Sequence, residues 1–132
     1  MLNILFTGNW LRNRNTEHFG KYGISSSQYN ILRILRGSKG TPLSMHTVKE
    51  RMIDRSPNAT RLTDKLIEKG YVSRIRCEKD RRVVYISITP TGLELLERID
   101  KSDQALEIAN SMKCLSDEEA EILSGLLDRI RG

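Results

Sequence analysis

Residues 56–88 set a helix start, a helix stop and two short strands in immediate succession, an order that fits a helix feeding a β-ribbon. Ser56 can cap the helix, and Pro57 suits its first position, where the missing N–H would have had no helical partner. Ala59, Leu62, Leu66 and Ile67 then recur at helical spacing and predict a buried stripe, and Gly70 stops the helix. The opposite face carries Asn58, Thr60, Arg61, Asp64 and Lys65. An apolar strand over residues 71–77 follows. A charged tip, Glu78-Lys79-Asp80-Arg81-Arg82, separates it from a second strand in which Val84, Ile86 and Ile88 alternate with Val83, Tyr85 and Ser87, so that one face points inward.

That pairing points toward nucleic acid. A helix fits the major groove of DNA, and a narrow basic ribbon tip reaches an adjacent minor groove. Charge distribution agrees. The net charge of +5 hides an asymmetry: residues 1–89 hold 17 Lys/Arg against 7 Asp/Glu, and residues 90–132 hold 5 against 10. A polyanion is drawn to the first part and repelled by the second.

The rest of the chain reads as helices around this unit. Residues 2–19 predict a helix with Leu2, Leu5, Trp10 and Leu11 as its apolar positions, weakened by Gly8 and several Asn residues. After a break, Ser26 or Ser27 caps a helix carrying Tyr29, Ile31, Leu32 and Leu35 that ends near Gly37. Residues 38–42 form a turn, and Ser44 caps a short helix reaching Met52. Thr89 and Pro90 open a long helix whose Leu93, Leu96, Ile99, Leu106 and Ala109 make a near-heptad stripe, interrupted by Asp103. Ser116 and Glu119 form a capping box for a last helix expected to bury Ile122, Leu123, Leu126, Leu127 and Ile130. These two acidic, striped helices suit a dimerisation arm; packing against each other within one chain is the alternative.

Several classes of function are disfavoured. No run is long and apolar enough to span a membrane, and the apolar start lacks a basic region and a cleavage site, so the expected location is the cytoplasm. Two cysteines, Cys77 and Cys114, lie far apart with no CxxC spacing, which argues against a disulfide scaffold or a zinc knuckle. Two histidines, no nucleophile–base spacing, no glycine-rich phosphate loop and no metal constellation argue against an enzyme; no catalytic residue, metal or cofactor is expected. RNA binding would call for aromatic stacking platforms, and only 5% of the residues are aromatic.

Residue chemistry assigns roles within the helix and its neighbours. Arg61 can bond bidentately to a guanine and Asn58 can read an adenine, with Pro57 and Thr60 beside them in the first turns. Lys65, one turn later, suits a phosphate. Ser44, with His46 and Thr47, is a candidate phosphate contact at the start of the short helix.

The order of elements, together with the run Ser25-Ser26-Ser27-Gln28-Tyr29-Asn30-Ile31-Leu32, the run from Thr60-Arg61-Leu62-Thr63-Asp64-Lys65 to Gly70-Tyr71-Val72, and Asp80-Arg81-Arg82 before the second strand, resembles the MarR family of winged helix-turn-helix transcription regulators. The last two segments also keep the family's spacing. The resemblance implies a mostly α chain with a small antiparallel β-ribbon (α+β). It implies a single MarR-like domain over residues 1–132, with the winged-helix DNA-binding lobe at about 25–89 and dimerisation helices at 1–24 and 90–132. It further implies a homodimeric, sequence-specific binder of double-stranded DNA, a repressor by family habit, acting on a near-palindromic operator. In the wing, the resemblance pairs Asp80 with Arg82 to hold the loop's shape, while Arg81 or Lys79 probes the minor groove. Lys79, Arg81 and Arg82 are thus the wing's candidate DNA contacts. Small aromatic ligands held between lobe and arm are the implied effectors. The sequence identifies no pocket for one; Trp10, His18, Phe19, Tyr22 and Arg76 are candidates through clustering of aromatic and amphipathic residues.

Two departures matter. The first helix is short at its start compared with the family. No cysteine precedes Cys77, so the peroxide-sensing branch's reactive cysteine has no counterpart. A competing function is a winged-helix protein–protein module without DNA binding. Such modules lose the cationic loop and the polar outward face, and both are present here.

Overall fold

The structure, a computed structural model, describes residues 1–54 and 58–132, residue 108 by its main chain. Along the described chain the elements are α1 (Leu2–Gly20), α2 (Ser26–Gly37), β1 (Leu43–Ser44), α3 (Met45–Arg51), α4 (Ala59–Glu68), β2 (Val72–Arg76), β3 (Val84–Ile88), α5 (Pro90–Asp100), α6 (Asp103–Met112) and α7 (Asp117–Arg131). They form two compact units, Met1–Ile99 and Asp100–Gly132. The fold is the expected one: mostly helical, with a small antiparallel sheet in a winged helix-turn-helix arrangement.

The first unit is organised by one core. Ile31, Leu32 and Leu35 from α2 meet Val48 and Met52 from the α3 region, Ala59 and Leu66 from α4, Val72 and Ile86 from the ribbon, and Leu95, Leu96 and Ile99 from α5. Helices α2, α4 and α5 contribute apolar stripes and leave polar faces outside, whereas α1 gives only its end, through Phe19, and its expected apolar positions Leu2, Leu5 and Trp10 are exposed. Ser25 caps α2, one residue before the expected Ser26 or Ser27. Its Oγ accepts the Gln28 N–H at 3.1 Å, and the Gln28 Oε1 accepts the Ser25 N–H at 2.9 Å. The partner three residues on decides which serine serves, because a capping box needs Glu or Gln at that offset.

The ribbon acquires a third strand. Leu43 and Ser44 pair antiparallel with Ile86 and Tyr85, giving the order β1-β3-β2. A two-residue strand is too short to leave a sequence period, which is why residues 38–44 read only as a turn and a cap. Ser44 is both strand end and cap, its Oγ accepting the Thr47 N–H at 3.1 Å.

At its end α4 closes as expected. Gly70 takes φ +79°, its N–H reaches the Ile67 carbonyl, and the Tyr71 N–H reaches that of Leu66. This is the left-handed stop that glycine adopts without strain. At the start of α4 the described helix begins at Ala59, and Asn58 makes no side-chain cap bond. The expected cap Ser56 and the first-position Pro57 lie outside the described residues.

The expected long C-terminal helix is two helices. It stops at Asp100, and Ser102 caps a new one, its Oγ accepting the Ala105 N–H at 3.2 Å. Asp103 belongs to the first turn of α6, where its charge suits the helix dipole. In the last helix, Ser116 and Glu119 form the expected box at 3.2 and 2.8 Å. Its expected burial does not occur within one chain: α7 has no buried residue, and Ile122, Leu123, Leu126 and Ile130 are all exposed.

Candidate nucleic-acid interface

Helix α4 reaches the surface through the residues that its buried stripe leaves over. Ala59 and Leu66 are buried and Leu62 and Ile67 partly so, which turns Asn58, Thr60, Arg61 and Lys65 outward. Thr63 joins the buried face, because its hydroxyl donates to the Ala59 carbonyl at 2.8 Å and so loses its polarity to the helix itself. Asp64 sits on the flank, where Arg74 of β2 meets its carboxylate at 3.1 Å. That pair neutralises the acid on an otherwise polar and cationic face, and it ties the wing strand to α4. The Asp64 carboxylate is therefore engaged by Arg74.

Because its partner Asp64 lies on another element, Arg74 was not singled out in the sequence. Strand alternation places it opposite Ile86, whose side chain is buried. Arg74 itself is exposed, so its pair with Asp64 is a surface contact between β2 and α4.

The wing tip is a turn held from inside. The Asp80 carboxylate accepts the backbone N–H of Arg82 at 3.0 Å, and the Asp80 carbonyl accepts the Val83 N–H at 3.0 Å. The Asp80–Arg82 pairing implied by resemblance thus takes the form of a bond to the Arg82 main chain. Below it, the Cys77 N–H reaches the Val83 carbonyl at 3.0 Å and closes the ribbon. Lys79, Arg81 and Arg82 are exposed around this turn. Alanine at Asp80 is expected to loosen the tip and weaken duplex binding by about fivefold, although a negative charge is removed, because a charge-assisted bond to a loop N–H is worth about 1 kcal/mol. Titration of a labelled duplex checks this, and a rise in affinity would contradict the role given to Asp80.

Between the start of α3, the flank of α4 and the base of the wing lies an open cleft of about 340 Å³. Met45, Ile67 and Ile86 contribute apolar walls, while Lys49, Arg74 and Arg82 contribute cations. At its mouth the Ser44 and Thr47 hydroxyls stand 2.9 Å apart, and the His46 Nε2 stands 3.1 Å from the Glu50 carboxylate. The aromatic cluster noted in the sequence divides. His18 and Phe19 are buried, and Phe19 stacks on Tyr29 with ring centres 4.2 Å apart. Trp10 and Arg76 are exposed. Among the described residues, no group of three His, Cys, Asp or Glu could hold a metal ion, and no helix is long and apolar enough to cross a membrane.

A helix with an outward polar face, packed beside a basic two-stranded wing, defines the winged helix-turn-helix class. Comparison with known proteins narrows it. The sequence model of the MarR family matches residues 24–84. The Escherichia coli HTH-type transcriptional regulator PapX is 31% identical over 116 residues, covering 86% of this chain and 71% of PapX. The solved transcriptional regulator BldR of Sulfolobus solfataricus superposes with a TM-score of 0.78 at 28% identity, over 99% of this chain and 91% of BldR. The fold is also that of S. aureus MepR, solved as a DNA complex, with a TM-score of 0.81 at 20% identity over 98% of this chain and 93% of MepR. The chain belongs to the MarR family of transcription regulators.

Proposed function

We propose that this protein is a cytoplasmic repressor that binds a near-palindromic operator as a homodimer and releases it when a small acidic ligand binds. The observation that carries this reading is the outward row Asn58, Thr60, Arg61 and Lys65 on α4, flanked by the exposed cations Lys79, Arg81 and Arg82 of the wing. In this reading residues 25–89 form the lobe that meets DNA. Helix α4 enters the major groove with Asn58, Thr60 and Arg61 toward base edges and Lys65 toward phosphate; Pro57, outside the described residues, is a candidate contact on its sequence position alone. Lys79, Arg81 and Arg82 follow the backbone into the neighbouring minor groove, where narrow A·T-rich stretches concentrate negative potential. Ser44, His46 and Thr47 approach a phosphate from the start of α3.

Residues 1–24 and 90–132 supply the surface that pairs two copies, so that two lobes meet half-sites about one helical turn apart. A ligand with an apolar body and an anionic group matches the walls and cations of the cleft beside α4. Bound there, it would engage Arg82, a cation that the cleft shares with the DNA-facing wing, and shift the population away from DNA-competent dimers.

The test uses a duplex selected from a random pool and a scrambled control. Arg61→Ala is expected to weaken the selected duplex by about tenfold to a hundredfold, the value of one bidentate base contact, and to change the control by less than about threefold. Binding of both duplexes should fall steeply with salt, because counterion release drives phosphate contacts. Unchanged affinity of Arg61→Ala for the selected duplex would remove Arg61 from base reading, and indifference of the wild type to every duplex at low salt would end the reading altogether.

A further inference from the structure

Three polar ties run from residues 23–30 to the segment that carries the DNA-facing row. The Gly23 carbonyl accepts from the Lys69 ammonium at the end of α4. The Asn30 Oδ1 accepts the Ile53 N–H at 2.9 Å ahead of α4. Between them, the Gln28 Nε2 donates to the Leu62 carbonyl at 3.2 Å, in the middle of the helix. Gln28 is the one of these three groups on the α2 side that is buried, at 5% exposure.

The two ends of the Gln28 amide serve different helices. Its Oε1 is fixed by the Ser25 N–H, as part of the α2 cap. That duty needs only an acceptor, and glutamate performs it as well as glutamine. The Nε2 does nothing for α2. It points at the Leu62 carbonyl, which in an α-helix already takes an N–H from four residues on, so the amide uses that oxygen's second lone pair. The α2 cap therefore explains half of this buried side chain, and α4 explains the other half.

We propose that Gln28 is a positioning residue for sequence discrimination, setting the rotation of α4 about its own axis through the Leu62 carbonyl. This deepens the DNA-reading function proposed above and rests on it. Leu62 follows Arg61 directly, so a turn of the helix at Leu62 swings the Arg61 guanidinium around the axis. Bidentate bonds to a base edge weaken steeply with misalignment. Phosphate contacts depend on a long-range Coulomb field and tolerate the same displacement. Loss of the tie thus lowers the ratio of specific to non-specific affinity before it lowers non-specific affinity itself.

Gln28→Glu isolates this role, because it keeps the acceptor for Ser25 and turns the donor facing Leu62 into a second acceptor. The affinity ratio for selected and scrambled duplexes is expected to fall by about tenfold, the scale of one buried hydrogen bond turned repulsive. Acidification that protonates the introduced carboxyl restores a donor toward Leu62 and should recover much of the ratio, measured against wild type at the same pH. Ser25→Ala weakens the same α2 cap and leaves the tie, so it should lower the melting temperature without changing the ratio. Gln28→Met, similar in length and without polar ends, carries the test if Gln28→Glu does not fold. A folded Gln28 variant with an unchanged ratio overturns the proposal, as does a ratio that falls equally in Ser25→Ala. A wild type that binds no duplex overturns the DNA reading and this inference with it, whereas a discriminating wild type with discriminating Gln28 variants overturns this inference alone.

Discussion

Alanine at Gly92 is expected to destabilise the first unit by about 3 kcal/mol, through overpacking that the backbone cannot relieve. A Cβ built there falls 2.3 Å from the Tyr71 carbonyl oxygen and 2.7 Å from the Ile88 Cγ1. The first of these atoms is main chain and is already engaged, accepting the Thr89 N–H at 3.0 Å. Thr89 is fixed in turn: its hydroxyl donates to the Gly70 carbonyl at 2.6 Å and accepts the Gly92 N–H at 3.1 Å. The start of α5, the end of α4 and the start of β2 thus meet at one point, and the nearest atom there is main chain that cannot give way. Thermal melting followed by circular dichroism checks this, with a fall on the order of 10 °C expected for a unit of this size. Gly8, whose added Cβ meets nothing within 4 Å, serves as control. Gly8→Ala, inside α1, should be neutral or slightly stabilising by helix propensity. A melting point for Gly92→Ala within a degree or two of wild type would mean that α5 docks further from Tyr71 than the structure places it.

That junction also shows where sequence reasoning reached and where it stopped. Gly70 was legible as a helix stop, because a left-handed stop leaves a local mark: glycine after the last apolar position. Gly92 left none, since a glycine in a helix start reads as weakness until the Tyr71 carbonyl is seen against it. The same division runs through the fold. The α4 stripe, the α3 cap and the alternation of β3 are set by residues within a few positions of one another, so period and chemistry exposed them. Strand β1 depends on Ile86 and Tyr85, some forty positions away, and is too short to have a period of its own. The break between α5 and α6 was hidden by the continuing run of leucines, although Ser102 before Asp103 is an ordinary cap signature.

The candidate interface divides in the same way. Asn58, Thr60, Arg61 and Lys65 were legible because they are what remains when the apolar stripe of α4 is subtracted, and the wing cations because they crowd one short loop. The supporting groups were not. Arg74 matters through Asp64, and Gln28 through Leu62, each acting across a gap in sequence that no local pattern bridges. Gln28 could be anticipated as half of the α2 cap, but nothing in its neighbours says that its nitrogen belongs to another helix.

The second large effect concerns α7. Ile122, Leu126 and Ile130 recur at intervals of four along it, with Leu123 beside them, and exposure runs from 43% at Leu123 to 69% at Ile130. An amphipathic helix with a polar opposite face leaves its apolar stripe in water in one chain, and in the homodimer proposed above the pairing of two copies would remove that stripe from solvent. The double substitution Leu123→Asp with Leu126→Asp is expected to yield monomers at micromolar concentration in light scattering. Affinity for a two-half-site operator should then fall by at least about a hundredfold, because the second half-site loses the advantage of an already tethered partner. Affinity for a single half-site should stay within about threefold of wild type, since α4 and the wing are untouched. Helix content should change little too, because α7 keeps its Ser116–Glu119 box and gives no residue to the buried core. The half-site measurement separates lost pairing from lost folding. A variant that remains dimeric would place the pairing surface elsewhere, on the exposed Leu2, Leu5 and Phe6 of α1 before any other, while a monomer that holds the full operator as tightly as wild type would show that pairing is not what joins the half-sites.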